Sequence, residues 1–363
     1  TRWLFVAITQ LDGRSGMGEA SLNGSEEAVR DAASRLALRA LGGSPAQPAA
    51  FAAGIAPSNL AESAAVSAID QALWDLHAQN AGVRLADAIG GVRRESILVY
   101  ANINRRTRLR TPEGFAASTR DALAAGFTAL KIAPFDEVNP TACAAGRGDV
   151  AMQAGLARVA AVRAAAGPQR RLMVDCHWRF DEPTARALVD ATGALGVHWI
   201  ECPLPETLDN IDALVRLRGA ANARGVRLAG LELGTGIEAF RPWCEAGAYD
   251  VVMPDVKYFG GLLPMQRAAD EFARFGVQLS PHNPTGSICH AASLHASAVL
   301  EAFDMLEMQF DESPLFDILV AGQLPARVEG RSTLPGGNGL GVALDRGELD
   351  AHAGAPALAW EAP

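Results

Sequence analysis

The chain has little to cross-link, cross a membrane with, or hold a nucleic acid. Its five cysteines (Cys143, Cys176, Cys202, Cys244 and Cys289) are odd in number and lack CxxC spacing, which excludes a disulfide scaffold and a cysteine zinc cluster and favours a reducing compartment. No run of 18 or more uncharged apolar residues occurs and no signal-peptide core opens the chain, so no membrane partner is expected and the cytoplasm is the expected location. There is no basic run, and 41 Asp+Glu outnumber 32 Lys+Arg for a formal charge of −9; that argues against a nucleic-acid partner. What is present is 363 residues, 49% of them hydrophobic and 20% charged, enough for a large core and for a barrel plus an accessory unit.

The N-terminal part reads as a small α+β unit. Trp3–Ile8 and Gly16–Ala20 alternate around the turn 11–16 as a hairpin, and helical patterns follow from Ser25 to about Gly42 and from Asn59 to Ala78. Both helices are alanine-rich and read as amphipathic, and Asn59 with Glu62 makes a capping box. After Ala88-Ile89-Gly90-Gly91 the texture changes. Eight short apolar segments, Ile97–Asn102, Phe127–Ile132, Leu172–Asp175, Val197–Glu201, Val226–Glu232, Tyr249–Pro254, Val277–Pro281 and Met305–Gln309, alternate with helical stretches such as Pro112–Ala125, Met152–Ala166, Glu182–Thr192 and Leu263–Phe275. Strict βα alternation requires a parallel sheet, and eight units close it. The expected fold is therefore α/β: a (β/α)₈-type barrel over 93–335 with an N-terminal α+β capping domain over 1–92, completed by about 336–363. Within that tail, 336–345 is glycine-rich, then strand-like, and is expected to return to the N-terminal unit.

In such a barrel the chemistry sits at the C-terminal strand ends. The third, fourth and fifth barrel strands end in Asp175, Glu201 and Glu232, separated by 26 and 31 residues, one βα unit each. Three neighbouring carboxylates repel one another unless a cation lies between them, and all-oxygen ligation selects a hard divalent ion, Mg²⁺ before Mn²⁺. The alternative is ordinary loop acids paired with an arginine such as Arg179. The sixth and seventh strands end in Asp255 and His282. A carboxylate on one imidazole nitrogen fixes the tautomer and raises the basicity of the other, so His282 is a candidate general base. His177 lies two residues past Asp175 and reads as a general acid or a zinc ligand, the oxygen-rich surroundings favouring the acid. Lys131 and Glu307 complete the ring. A zinc hydrolase is disfavoured, because near the first barrel strand only Asn102 and Asn104 stand where a second histidine ligand would be needed.

With these residues assembled, the chain resembles the enolase superfamily and, within it, the mandelate racemase-like subgroup of acid-sugar dehydratases. The resemblance runs through Gly16-Met17-Gly18-Glu19-Ala20, the segment Ala68–Leu76, the acids Asp175, Glu201 and Glu232, then Met253-Pro254-Asp255, Gly260-Gly261 and Ser280-Pro281-His282. It implies a hydro-lyase with one Mg²⁺ per subunit (Mn²⁺ the alternative) on the three acids, the Asp255–His282 dyad as base, and Glu307 as an acid that hydrogen-bonds the enolate. The implied reaction on an aldonic or aldaric acid removes the C2 proton to an enediolate and eliminates the 3-hydroxyl, giving a 2-keto-3-deoxy acid. Lys131 and a protonated Glu307 would donate to the developing oxyanion, and His177 would protonate the leaving hydroxyl, as in galactonate dehydratases.

Where many relatives carry Lys-x-Lys, this chain has Lys131-Ile132-Ala133, which weakens a two-base racemase or a lysine-driven cycloisomerase. A racemase or epimerase of α-hydroxy acids remains the alternative enzyme, and a catalytically silent ligand-binding barrel the alternative of another class. The family also implies a small-molecule carboxylate substrate and a homo-oligomer, dimer or octamer. Its usual first strand precedes Trp3, so Thr1 is expected to follow further residues. Specificity is expected from Leu22–Ser25 and from the insert Pro134–Asp149, with Asp136, Glu137, Asn139 and Arg147 as readers of distal hydroxyls. Lys257, His290 and His295 lie near the dyad in sequence without an assigned role.

Overall fold

A computed structural model describes residues 2–41, 47–320 and 324–361. Thr1, Gly42 and the last two residues of the tail lie outside them. The strands β1 (Phe5–Thr9) and β2 (Ser15–Glu19) form the antiparallel hairpin, Phe5 opposite Glu19. The spacing of Gly16 and Gly18 has a steric cause: a Cβ at either would stand 2.1 Å from the Ala72 carbonyl oxygen or 1.9 Å from that of Ala68. β2 thus lies directly on the helix Leu60–Ala81. That helix starts where the capping box places it, with the Asn59 side chain accepting from the Glu62 N–H, and ends on Gly82 in the left-handed region. It is not amphipathic as expected. Ser63 to Leu76 are buried throughout, because the hairpin covers one side and the barrel loops the other.

The eight barrel strands are β3 (Ser96–Asn102), β4 (Ala129–Ile132), β5 (Arg171–Asp175), β6 (Trp199–Glu201), β7 (Arg227–Gly230), β8 (Val251–Val252), β9 (Gln278–Leu279) and β10 (Leu306–Gln309). They pair in parallel in chain order, with β10 returning to β3. The gap between β9 and β10 is spanned by the Leu279–Phe303 bridge and the Glu307 N–H to the Pro281 carbonyl. Two strands are much shorter than expected. Pro254 and Pro281 have no N–H to give a ladder, so β8 and β9 leave it just before Asp255 and His282. β7 stops at Gly230 because Leu231 has φ +69°, and Glu232 therefore stands on a turn rather than in the strand.

The barrel interior is filled by Tyr100, Ala129, Met173, Trp199, Ala229, Val251, Met253 and Met305, so the chemistry is confined to the rim. An eleventh strand that the sequence pattern does not announce, β11 (Arg331–Thr333), runs antiparallel on the start of β3. The tail meets the N-terminal residues at a single bridge and not as a strand: Gly339 pairs with Arg84, and the Leu340 N–H bonds Asp75. Among the described residues no helix is long and apolar enough to cross a membrane.

Candidate active site

Register brings two of the acids together, and a turn brings the third. Asp175 and Glu201 are direct neighbours across β5 and β6, and Glu232 follows two residues past β7. Oxygens of the three lie within 4.8 Å of one another, and all three side chains are buried. Burial and the two neighbouring carboxylates raise Glu232 well above the usual carboxyl range. Glu201 is pushed up to about 7, by burial first and then by Asp175 and Glu307, against the pull of Lys131. Burial would raise Asp175 too, but His177 and Lys131 hold it low.

The Lys131 ammonium, at the mouth end of β4, stands 2.6 Å from Glu201 Oε1 and 3.1 Å from Glu307 Oε1. Glu307 is the ionised member of this side. Against the cost of burial, Lys131, His282, the Asn102 amide and the Asn283 N–H bring it down to about 2. It therefore accepts hydrogen bonds here, and the protonated, donating Glu307 expected from sequence is not what these partners favour.

On the opposite rim, Asp255 and His282 form a parallel bridge, and the Asp255 carboxylate lies 2.8 Å from His282 Nδ1. The other ring nitrogen, Nε2, is 3.7 Å from Glu232 Oε2. Burial lowers the His282 pKa, opposed by Asp255 and Glu307, so the neutral imidazole is favoured. His177 has φ +47°, which folds it back on Asp175: its N–H bonds one carboxylate oxygen at 2.9 Å and its Nε2 the other at 2.9 Å. Asp175 raises its pKa. Arg179 bonds the Phe135 carbonyl instead of these acids.

Residues 114–348 match the enolase C-terminal domain-like family, and residues 1–90 match the mandelate racemase/muconate lactonizing enzyme N-terminal domain. The chain belongs to the enolase superfamily. Curated relatives include D-gluconate dehydratase of Thermoproteus tenax, 31% identical over 80% of this chain and 56% of that protein. D-galactarolactone cycloisomerase of Agrobacterium fabrum is 31% identical over 78% of this chain and 72% of its own length, and D-galactonate dehydratase of Ralstonia nicotianae 28% identical over 82% and 76%. The chain thus spans little more than half the length of the first of these. The mandelate racemase/muconate lactonizing enzyme-like protein from Roseovarius sp. TM1035 superposes with a TM-score of 0.83 at 25% identity, over 99% of this chain and 93% of that one. The mandelate racemase/muconate lactonizing enzyme from Sulfitobacter sp. gives 0.85 at 24%, over 99% and 93%.

Members of this superfamily bind a divalent metal, and the residues present fit one. The donor set is all oxygen, the three acids converge, and Glu232 Oε2 is buried without a hydrogen-bond partner. A hard divalent cation answers each of these features.

Other expected site residues are occupied elsewhere. Asp136 is held by both Arg110 and Arg158, Glu137 by Arg158, and Asn139 caps the short helix Pro140–Ala144. Arg147 precedes the helix Gly148–Ala166, which begins four residues earlier than its apolar pattern. The insert is therefore braced structure, in which Asp136 and Glu137 pair with arginines and Asn139 serves as a helix cap. Leu22 packs into the core of the capping unit. His290 bonds Asn283, while His295 bonds the Ala86 N–H and the Leu340 carbonyl, so neither joins the rim.

Lys257, which the sequence leaves without an assigned role, has its ammonium 2.7 Å from Asp255 Oδ2, and Tyr258, which sequence reasoning missed, has its hydroxyl 3.0 Å from His282 Nδ1. A signal for the first was available. Lys131 and Lys257 are the two lysines of the chain, and both are buried on carboxylates.

Proposed function

We propose that this chain is a Mg²⁺-dependent dehydratase of a sugar acid, aldonic or aldaric, and that the residues converging at the rim carry the reaction. The observation behind this reading is the placement of His282: tied to Asp255 through Nδ1, it presents Nε2 beside Glu232, the third member of the acid cluster. Relatives named for D-gluconate and D-galactonate dehydration support the substrate class.

When bound by Asp175, Glu201 and Glu232, the cation supplies Lewis-acid polarisation of a substrate carboxylate. His282 Nε2 accepts the C2 proton, with Asp255 holding the Nδ1–H tautomer and stabilising the imidazolium that results. The Lys131 ammonium, fixed by Glu201 and Glu307, places a buried positive charge beside the carboxylate as negative charge develops there. His177 is the proton donor to the departing 3-hydroxyl, which leaves as water; its Nε2, which here meets Asp175 at 2.9 Å, becomes available when that carboxylate turns to the cation. The enol then ketonises to a 2-keto-3-deoxy acid. Ala133 offers no proton acceptor on the β4 side, so one face of C2 lacks the base that a two-base racemase needs.

Incubation with Mg²⁺ and a panel of aldonic and aldaric acids is the test, and a semicarbazide-reactive keto product is the expected result. A relative named as a cycloisomerase, at 31% identity, favours keeping racemisation or isomerisation as the second reading. Deuterium entering C2 from D₂O without any keto product would select it over dehydration.

A further inference from the structure

Tyr258 connects the rim to the capping unit in a way that no other residue of its loop does. It follows Asp255 by three positions, yet its ring is buried among Ala20, Val29, Ala64 and Ala68 of the N-terminal unit. From there its hydroxyl reaches back 3.0 Å to His282 Nδ1. Its backbone is held from the same side, the Ser63 hydroxyl donating to the Tyr258 carbonyl at 2.7 Å.

The two loops that carry the dyad are anchored likewise. After Asp255, the Gly260 N–H bonds Ser67 and the Leu262 N–H bonds Asp70, both on the helix Leu60–Ala81. After His282, Glu19 of β2 accepts the Thr285 hydroxyl and the N–H groups of Gly286 and Cys289, at the start of the helix Ser287–Val299.

We propose that Tyr258 is a positioning residue for His282, and that through it the capping unit takes part in setting the proton-transfer geometry instead of only covering the mouth. The inference rests on His282 being the base. Its physical content is rotational. An imidazole held at Nδ1 by Asp255 alone can swing about its Cβ–Cγ bond and carry Nε2 off line; a second oxygen at the same nitrogen, fixed to a packed ring, narrows that swing. Asp255 is itself held by the Lys257 ammonium and N–H, each at 2.7 Å, so the Tyr258 hydroxyl supplies the second fixed point that the ring needs.

The test is Tyr258→Phe, which keeps the packed ring and removes the hydroxyl. With Mg²⁺ and a sugar acid that the parent protein turns over, kcat is expected to fall about 10-fold or more. KM should stay within about twofold, Tm should change little, and the primary isotope effect on C2-deuterated substrate should rise. Unchanged kcat and isotope effect would overturn the inference, and so would a fall in kcat matched by a large loss of Tm. Ser63→Ala, which loosens only the Tyr258 backbone, should show a weaker form of the same pattern. A readout independent of turnover is the ¹⁵N spectrum of the imidazole. Asp255 keeps the Nδ1–H tautomer in both proteins, but the ring resonances of His282 should be narrow in the parent and broadened by exchange in Tyr258→Phe, and identical line widths would overturn the inference even if no sugar acid were a substrate. A parent protein that turns over none of the panel defeats the dehydratase reading instead, which keeps the two failures apart.

Discussion

Two groups of acids follow neighbouring barrel strands, and the protein treats them in opposite ways. Beyond β4, Asp136 and Glu137 are answered by arginine: Arg110 makes two 2.8 Å bonds to Asp136, and Arg158 holds Glu137 at 2.6 and 2.7 Å. Their carboxyls sit below the usual range; for Asp136, burial pushes the other way and Arg110 and Arg158 outweigh it. Beyond β5, β6 and β7, the three acids converge around the single ammonium of Lys131, which touches one of them and spends its other contact on Glu307. Glu201 and Glu232 rise accordingly. A carboxylate whose charge is met by the protein is part of the scaffold, whereas a convergent group left short of positive charge is built for a ligand that supplies it.

The sharpest way to break that contrast is Glu232→Gln. Turnover should fall on the order of 10³-fold or more, since several kcal/mol of transition-state stabilisation depend on the cation. The rise in Tm that Mg²⁺ gives the parent protein should disappear. Without Mg²⁺ the variant should be at least as stable as the parent, because a repelling carboxylate is gone. A marked drop in metal-free Tm would show that the acids were already balanced. His282→Asn comes next, with a loss of about 10²–10⁴ in kcat and the Mg²⁺-dependent Tm rise retained; loss of that rise would mean that the base and the cation site are not separable.

Buried acids of the capping unit refine the rule, for they lack arginines and are still structural. Asp70 accepts the Leu262 N–H at 2.8 Å, yet burial pushes its carboxyl from 3.8 up to about 7. Between about pH 4 and pH 7 the unfolded chain gives up this proton while the folded protein keeps it. Stability is therefore lost as the pH rises through that window, and the full cost is reached above about pH 7. Asp70→Asn should remove this slope and gain on the parent by about 3 kcal/mol across the window, read as urea midpoints at pH 4, 5.5, 7 and 8. A difference that stays constant with pH would show that Asp70 is ionised throughout.

The barrel was legible because eight apolar segments alternate with helices, and the cation site because one βα unit separates each acid from the next. Strand ends were not, since the pattern of side chains does not show where Pro254 and Pro281 remove a ladder donor. β11 escaped for a related reason: Arg331-Ser332-Thr333 buries one side chain and exists by pairing with β3, a partner more than 200 residues away. The pairing of the insert acids was hidden because their arginines, Arg110 and Arg158, stand some 20 to 26 positions off on either side. Tyr258 was invisible because its hydroxyl and its ring serve different units of the molecule.

The smallest expected effect on chemistry is the most direct check on the role of those acids. Arg158 bonds the Arg110 and Pro134 carbonyls at 2.8 and 2.6 Å as well as Glu137, so Arg158→Met leaves two backbone acceptors of the insert without their donor. The cost should be about 2 kcal/mol in unfolding free energy, seen as a lower urea midpoint. Asp136 keeps Arg110, and none of the rim groups changes partner, so kcat and KM for any sugar acid turned over should stay within about twofold. A selective loss of kcat/KM for one hydroxyl configuration, with the midpoint unmoved, would place Glu137 among the groups that touch substrate. The distinction between answered and unanswered acids would then fail where it is drawn most firmly, because Glu137 has the best-matched partner of them all.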